Sequence, residues 1–322
     1  MISNLTTLLN KGEQRLFRKS ISKSCSTSGF YKIYKRMNKY KTIVLAYHGF
    51  LSERFKKDYN EIDNDDGLHI YIDSFISHIK FLKNNYNIIS VSNLYGYINS
   101  GKQLPEYSIS ITIDDGFENN YTVLWPVIRE HNIPVTIFLT AGLIGSDFTI
   151  WPLRLKNYLI NKKKGGNVLK KYEILLDMFI KNNPGYNFYL NCYKNKVDFE
   201  NLFKKQYYRI LNWEQVIKMS QDKNIEFGSH GLNHAILSNC NQKELNLEIS
   251  ESKKILEKKL KKPIHYFSYP NGSQSDFNES AITILRNTGF KLAFSCVNGA
   301  VASGDDIFQL RRMSMNNRFC QV

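Results

Sequence analysis

Residues 108–116 read S-I-S-I-T-I-D-D-G, a β-branched run that ends in two adjacent carboxylates and a glycine. About 115 residues later, 225–234 read I-E-F-G-S-H-G-L-N-H, a second strand-like run that ends in two histidines four positions apart. Alone, Asp-Asp-Gly also reads as the cap of a helix beginning near Glu118, and His-x-x-x-His as two unrelated surface histidines. Together, Asp114, Asp115, His230 and His234 supply the ligands of one metal site plus a spare carboxylate, a set suited to activating water. Successive residues of an extended segment point to opposite sides, so the two aspartates can serve different tasks. Histidines at i and i+4 can share one side of a helical turn and grip one ion.

Outward from these stretches, from residue 41, short β-branched or aromatic runs alternate with amphipathic ones. Strands are predicted at 42–47, 108–113, 135–140, 225–228, 264–269, 291–296 and 308–313, and helices at about 72–85, 118–131, 213–222, 242–260 and 276–288. In the 242–260 stretch Leu245, Ile249, Leu256 and Leu260 recur on one face. Such alternation implies an α/β protein of right-handed β-α-β units forming a parallel sheet or barrel. Residues 1–40 read as a basic N-terminal arm with a serine-rich middle. Residues from about 145 to 212 break the rhythm and read as a helical insertion into the 41–322 domain. Trp151, at its start, is suited either to stack on a sugar face or to anchor the insertion's own core.

Of the 322 residues, 42% are hydrophobic and 13% aromatic, enough for a large core. The formal net charge of +15 is carried by lysines spread along the chain, with short clusters at Lys162–Lys164 and Lys258–Lys262. No nucleic-acid-binding signature accompanies them, so no specific nucleic acid is expected and membrane contact is at most peripheral. Cys25, Cys192, Cys240, Cys296 and Cys320 are an odd set without a C-x-x-C pair, which excludes a disulfide framework and a cysteine zinc site. The opening residues lack the apolar core of a secretory signal, and no stretch reaches the roughly 18 apolar residues of a membrane span. A cytoplasmic location is the expectation.

The chemistry-bearing residues share an address. His48, Asp114, Asp115, His230 and the Tyr269–Gly272 segment each lie just past the end of a predicted strand, and active sites of parallel α/β barrels form at that face.

T-I-D-D-G (112–116), S-H-G-L-N-H (229–234) and F-S-Y-P-N-G (267–272) resemble the first three motifs of the polysaccharide deacetylases, the NodB-homology proteins of carbohydrate esterase family 4. The order and spacing agree over about 41–315, and Y-H-G (47–49) with the late L-R-R-M resembles the poly-N-acetylglucosamine deacetylase branch. The resemblance implies a distorted (β/α)7-type barrel, one divalent ion, most often zinc, and hydrolysis of an N-acetyl group on a sugar. Carried over residue by residue, Asp115, His230 and His234 hold the ion. Asp114 is then the base that takes a proton from the attacking water, and a backbone N–H in the Tyr269–Pro270–Asn271 segment holds the oxyanion.

The chain departs from the family pattern in four places. Gly231 stands where a serine or threonine is usual, Ser268 replaces an arginine, Asn271 replaces a tyrosine, and no Leu-x-His motif appears near the C-terminus. His48 is the candidate general acid in place of that missing histidine, and Arg312 the candidate partner that keeps Asp114 ionised. The implied partner is an N-acetylated sugar, glycan, or nucleotide- or lipid-linked precursor. Rival readings are an O-acetyl esterase or other amide hydrolase on the same fold, and a catalytically idle glycan-binding barrel.

Overall fold

Every residue of the 108–113 run is buried, and its two faces differ. Ile109, Ile111 and Ile113 join an apolar layer with Ile43 and Leu45 and with helix residues such as Ile79, Leu82, Ile128, Val216, Leu256 and Leu285. On the opposite face the hydroxyl of Ser108 bonds to Thr42, and those of Ser110 and Thr112 donate to the carbonyls of Ile89 and Leu45. A buried hydroxyl needs such a partner, because an unpaired one costs about 1–3 kcal/mol.

The computed structural model describes residues 35–52, 68–153 and 208–315. Most of the expected arm (1–40) and of the expected insertion (about 145–212) lies outside these residues, as do Lys162–Lys164, Cys25, Cys192 and Cys320.

The strands are β1 (Ile43–Tyr47), β2 (Gly49–Leu51), β3 (His69–Tyr71), β4 (Asn87–Ile88), β5 (Ser108–Ile113), β6 (Val135–Leu139), β7 (Ile225–Ser229), β8 (Tyr266–Ser268), β9 (Leu292–Phe294) and β10 (Met313–Ser314). All but β2 and β3 form one eight-stranded parallel sheet, ordered β10-β1-β5-β6-β7-β8-β9, with β4 also paired to β5. At its far edge Leu310 bridges Phe294 in parallel, while Met313 and Ser314 pair with Leu45 and Ala46 of β1. The segment 310–314 thereby draws both edges together, and the sheet curls into the expected distorted barrel.

Parallel neighbours require crossovers, which here are mainly helical. The helices are α1 (Ile72–Asn85), α2 (Val91–Asn99), α3 (Trp125–His131), α4 (Trp213–Met219), α5 (Gln242–Asn246), α6 (Ser252–Leu260) and α7 (Glu279–Asn287). Asn212 and Asn241 open α4 and α5 with capping boxes completed by Gln215 and Glu244, and Asn278 caps α7. The barrel interior holds a second apolar cluster that includes Val44, Phe138, Tyr266, Leu292, Phe294 and Leu310. Val91 and Leu94 of α2 join it. Glu226 of β7 accepts hydrogen bonds from the Ser92 N–H and the Thr136 hydroxyl, so α2 plugs the end of the barrel where the strands begin.

Three differences from the sequence expectation have physical causes. The last strand is β10 at 313–314, not 308–313, because the earlier residues bond to β9 before the chain reaches β1. The 242–260 helix is not uniform: a π-helical turn at Leu247–Glu251, which contains the buried Glu248, separates α5 from α6. The β2–β3 ladder and α2 carry no strong periodic signal and were not expected.

Gly228 tests the interior packing. A Cβ there would stand 2.5 Å from the Phe138 ring and 2.8 Å from the Tyr266 carbonyl oxygen. Gly228→Ala is expected to lower unfolding stability in urea by about 1–3 kcal/mol. A change smaller than about 0.5 kcal/mol, the level of an ordinary surface substitution, would contradict this packing.

Candidate active site

Asp114 and Asp115 leave the end of β5 in different directions, each only 1% exposed. Asp115 has left-handed backbone, with φ of 72°, and Gly116 follows with φ of 78°. Left-handed backbone is uncommon for a residue other than glycine. His234 (φ 59°) and Asn271 (φ 58°) share it, so three of the strained non-glycine positions fall at the ends of β5, β7 and β8. Such positions persist only where surrounding contacts hold them.

The Asp114 carboxylate meets Arg312 two-pronged, with Nη1 to Oδ1 at 2.9 Å and Nη2 to Oδ2 at 2.7 Å. Arg312 is fully buried. Its Nε donates to the Ser295 carbonyl (3.0 Å) and Nη1 also to the Thr112 hydroxyl (3.1 Å), while the two Nη2 hydrogens are shared among Asp114, the Ser268 hydroxyl (2.8 Å) and Cys296 Sγ (3.3 Å). Phe138 and Phe294 lie beside the guanidinium at 5.9 and 5.8 Å. Ser268 also donates to Asp114 Oδ2 at 3.3 Å, so it completes the contacts of the pair. Burial alone would push the Asp114 pKa up. The Arg312 guanidinium overrides that and, with His230 and His48, holds this carboxyl well below the usual carboxylate range.

Asp115 has no such partner. Both of its carboxylate oxygens are buried and make no hydrogen bond among the described residues. Oδ1 instead lies 3.3 Å from His234 Nε2 and 3.5 Å from His230 Nε2. Asp115, His230 and His234 each offer a ligand atom, and these atoms all lie within 4.8 Å of one another. His230 Nδ1 is 2.8 Å from the Ser268 carbonyl oxygen, which can only accept. The neutral ring therefore carries its proton on Nδ1 and turns the Nε2 lone pair toward Asp115. Burial lowers the His230 pKa to about 4, against the opposing pull of Asp114. One oxygen and two nitrogen donors, converging from three buried residues, suit a divalent cation.

The two histidines do not share a helical turn, contrary to the sequence expectation. Residues 230–236 are a loop, and both Gly231 (φ 81°) and His234 are left-handed, which a helix does not allow. Trp151 is fully buried, and its indole N–H donates to the His234 carbonyl at 2.9 Å. It holds the histidine loop and is not available as a sugar platform.

His48 follows β1, is half-buried, and acts electrostatically on both Asp114 and Asp115. Its carbonyl accepts from Asn120 Nδ2 at 2.9 Å, and Asn119 Oδ1 accepts the Phe50 N–H, so the turn after β5 fixes the His48 backbone. The ring of Tyr269 points away from the site: it stacks on Phe277 at 4.0 Å, and its hydroxyl donates to the Phe308 carbonyl. The Tyr269–Pro270–Asn271 segment thus presents backbone beside the site, not the tyrosine ring. Sequence reasoning missed Trp151 as a support, and also Asn119, Asn120, Thr112, Cys296 and Glu248. Apart from Thr112, which opens the 112–116 motif, none lies in a motif, and each matters only through what folding brings next to it.

A family model described as polysaccharide deacetylase matches residues 101–293, more than half of the chain. YxkH of Bacillus subtilis (strain 168) is 20% identical over 259 residues, which are 80% of this chain and 70% of that protein. The poly-beta-1,6-N-acetyl-D-glucosamine N-deacetylase of Staphylococcus aureus (strain MRSA252) is 21% identical over 76% of this chain, which spans 66% of that protein's length. The structure of the Streptococcus pyogenes deacetylase PplD, in complex with acetate, superposes with a TM-score of 0.58 at 18% identity. That match covers 86% of this chain and 93% of the other, and shows a shared fold.

Removing Arg312 leaves Asp114 buried and unpaired. Arg312→Met is expected to lower stability near neutral pH by about 3–5 kcal/mol. The pH dependence has a definite sign. Because the folded Asp114 pKa is depressed, its contribution is full above the unfolded value of about 4 and is lost as pH falls toward the folded one. In the variant burial pushes the unpaired carboxyl up, so the gap between wild type and variant in urea should narrow as pH falls through that raised value toward the depressed wild-type one. A gap that stays constant there would remove Asp114 as the partner.

Proposed function

The chain belongs to the polysaccharide deacetylase family, and we propose that within it this protein hydrolyses N-acetyl groups on a sugar of a glycan or glycan precursor. The observation that carries the reading is the contrast between neighbouring carboxylates: Asp114 is held by Arg312, while Asp115 Oδ1 faces the Nε2 atoms of His230 and His234 at 3.5 and 3.3 Å. Asp115, His230 and His234 are the residues that would hold one divalent ion, and two imidazoles with one carboxylate suit zinc. When bound, such an ion supplies a Lewis acid that polarises the acyl carbonyl and makes water acidic enough to lose a proton near neutral pH.

The chain's own groups account for the proton movements. Asp114, kept ionised by Arg312, takes the proton of the attacking water. The same guanidinium disfavours the neutral acid, so Asp114 passes that proton on readily. The water oxygen bonds to the acetyl carbon, and the tetrahedral oxyanion is met by the Asn271 N–H, which has no backbone partner among the described residues. The C–N bond then breaks. An amine leaves only if its nitrogen gains a proton: His48, which interacts electrostatically with both aspartates, is the donor, and the proton taken up by Asp114 restores it. Acetate and a free amine are the products. The N-acetyl preference is supported by the Staphylococcus aureus relative, whose name specifies N-deacetylation of an N-acetylglucosamine polymer.

Purified wild-type protein is expected to bind one divalent ion per chain and release acetate from N-acetylglucosamine oligomers. Asp115→Ala should lose both properties. Protein that binds no ion, or acetate release that survives this change, overturns the reading. Asp114→Asn should keep the ion and lose turnover by about 10²-fold or more, since an amide cannot accept the proton. Retained turnover in that variant would remove Asp114 as base. In a panel of N- and O-acetylated sugars, release confined to the O-acetyl members would make the protein an esterase.

A further inference from the structure

Gly231 lies between the two histidines, and its conformation leaves no room for a side chain. A Cβ there would stand 2.9 Å from Glu248 Oε2 and 3.6 Å from Pro270 Cγ, on left-handed backbone. The space beside Gly231 is filled by a carboxylate from another element. Glu248 is fully buried and sits in the π-helical turn Leu247–Glu251. Its oxygens accept three donors of the histidine loop: the Leu232 N–H at 2.9 Å, the Asn233 N–H at 3.0 Å and Asn233 Nδ2 at 2.9 Å. One turn later Ser252 bonds to the Ser229 hydroxyl at 2.7 Å, and that hydroxyl takes the Gly231 N–H at 3.3 Å. The helix thus grips the chain at positions 229, 232 and 233, on both sides of His230 and just before His234.

We infer that Glu248 is a positioning residue that sets the orientation of His234 relative to His230 and Asp115. The inference rests on the preceding reading that these three residues hold a divalent ion. A carboxylate is suited to this task because it can accept several N–H groups at once, and hydrogen bonds to a charged group are worth about 1.5–3 kcal/mol each. Glu248 lies in the π turn on the buried face of the helix, and Gly231 is what lets the carboxylate approach. His234 is held from the other side by the Trp151 indole on its carbonyl, so the loop is clamped between a helix and a buried tryptophan before any ion arrives.

The test uses the full chain, stripped of metal, with zinc and cobalt as probes in competition with a chromophoric chelator. Glu248→Ala is expected to weaken both ions by about tenfold to a hundredfold, the usual effect of losing a group that orients a ligand. Glu248→Gln, which keeps the volume and one acceptor oxygen, should fall between it and wild type. Amide exchange supplies a readout that needs no variant. In metal-free wild type, the Leu232 and Asn233 amides should exchange slowly because Glu248 already holds them. A folded Glu248→Ala or Glu248→Gln chain with wild-type affinity overturns the inference, and so does fast exchange of those two amides. A wild-type chain that binds neither ion removes the metal centre itself and this inference with it, an outcome distinct from the other two.

Discussion

Two adjacent carboxylates buried at one strand end impose the constraint on which the site depends. In a medium of low polarity, neither Asp114 nor Asp115 stays ionised without nearby positive charge, and together they repel. The fold meets half of this requirement with its own atoms. Arg312 rises inside the barrel from the segment that closes it and spreads its donors over Asp114, Thr112, Ser268, the Ser295 carbonyl and Cys296. Barrel closure and ionisation of Asp114 are therefore tied together, because the residues that join β9 to β1 carry the guanidinium.

The other half of the requirement is left open. Around Asp115 the protein places imidazole lone pairs where a hydrogen-bond donor would be expected, and fixes them from behind. Ser268 illustrates the economy of the arrangement: its carbonyl sets the His230 tautomer while its hydroxyl accepts from Arg312 and donates to Asp114. One residue of β8 thus joins the two halves of the site. A smaller, neutral residue at 268 suits the barrel because Arg312 fills the interior from the opposite direction.

The strained backbone belongs to the same account. Asp115, His234 and Asn271 adopt left-handed conformations that cost roughly 1–3 kcal/mol each. Their supports are nearby and specific: the pairing at the end of β5, the Trp151 and Glu248 contacts around the histidine loop, and the 2.7 Å turn bond from the Gly272 N–H to the Pro270 carbonyl. The strain aims side chains or N–H groups at a common point that regular strands would direct elsewhere.

How much of this was legible in the sequence follows from what each signal depends on. The β-branched runs at 42–47, 108–113, 135–140 and 225–228 announced the parallel strands, because a buried strand needs apolar side chains whatever its neighbours are. The Asp-Asp-Gly and His-x-x-x-His motifs announced a cluster for a similar reason, since ligand atoms must come from a few residue types. Arg312 was recognisable as a candidate only beside that cluster. The tertiary structure alone decided the rest: that Tyr269 turns inward, that Trp151 holds a backbone carbonyl, that α2 plugs the barrel, and that a glutamate in an irregular helical turn holds the histidine loop. Hydrogen bonds between residues 15 to 200 positions apart depend on three-dimensional placement, and no local pattern of side chains encodes that placement.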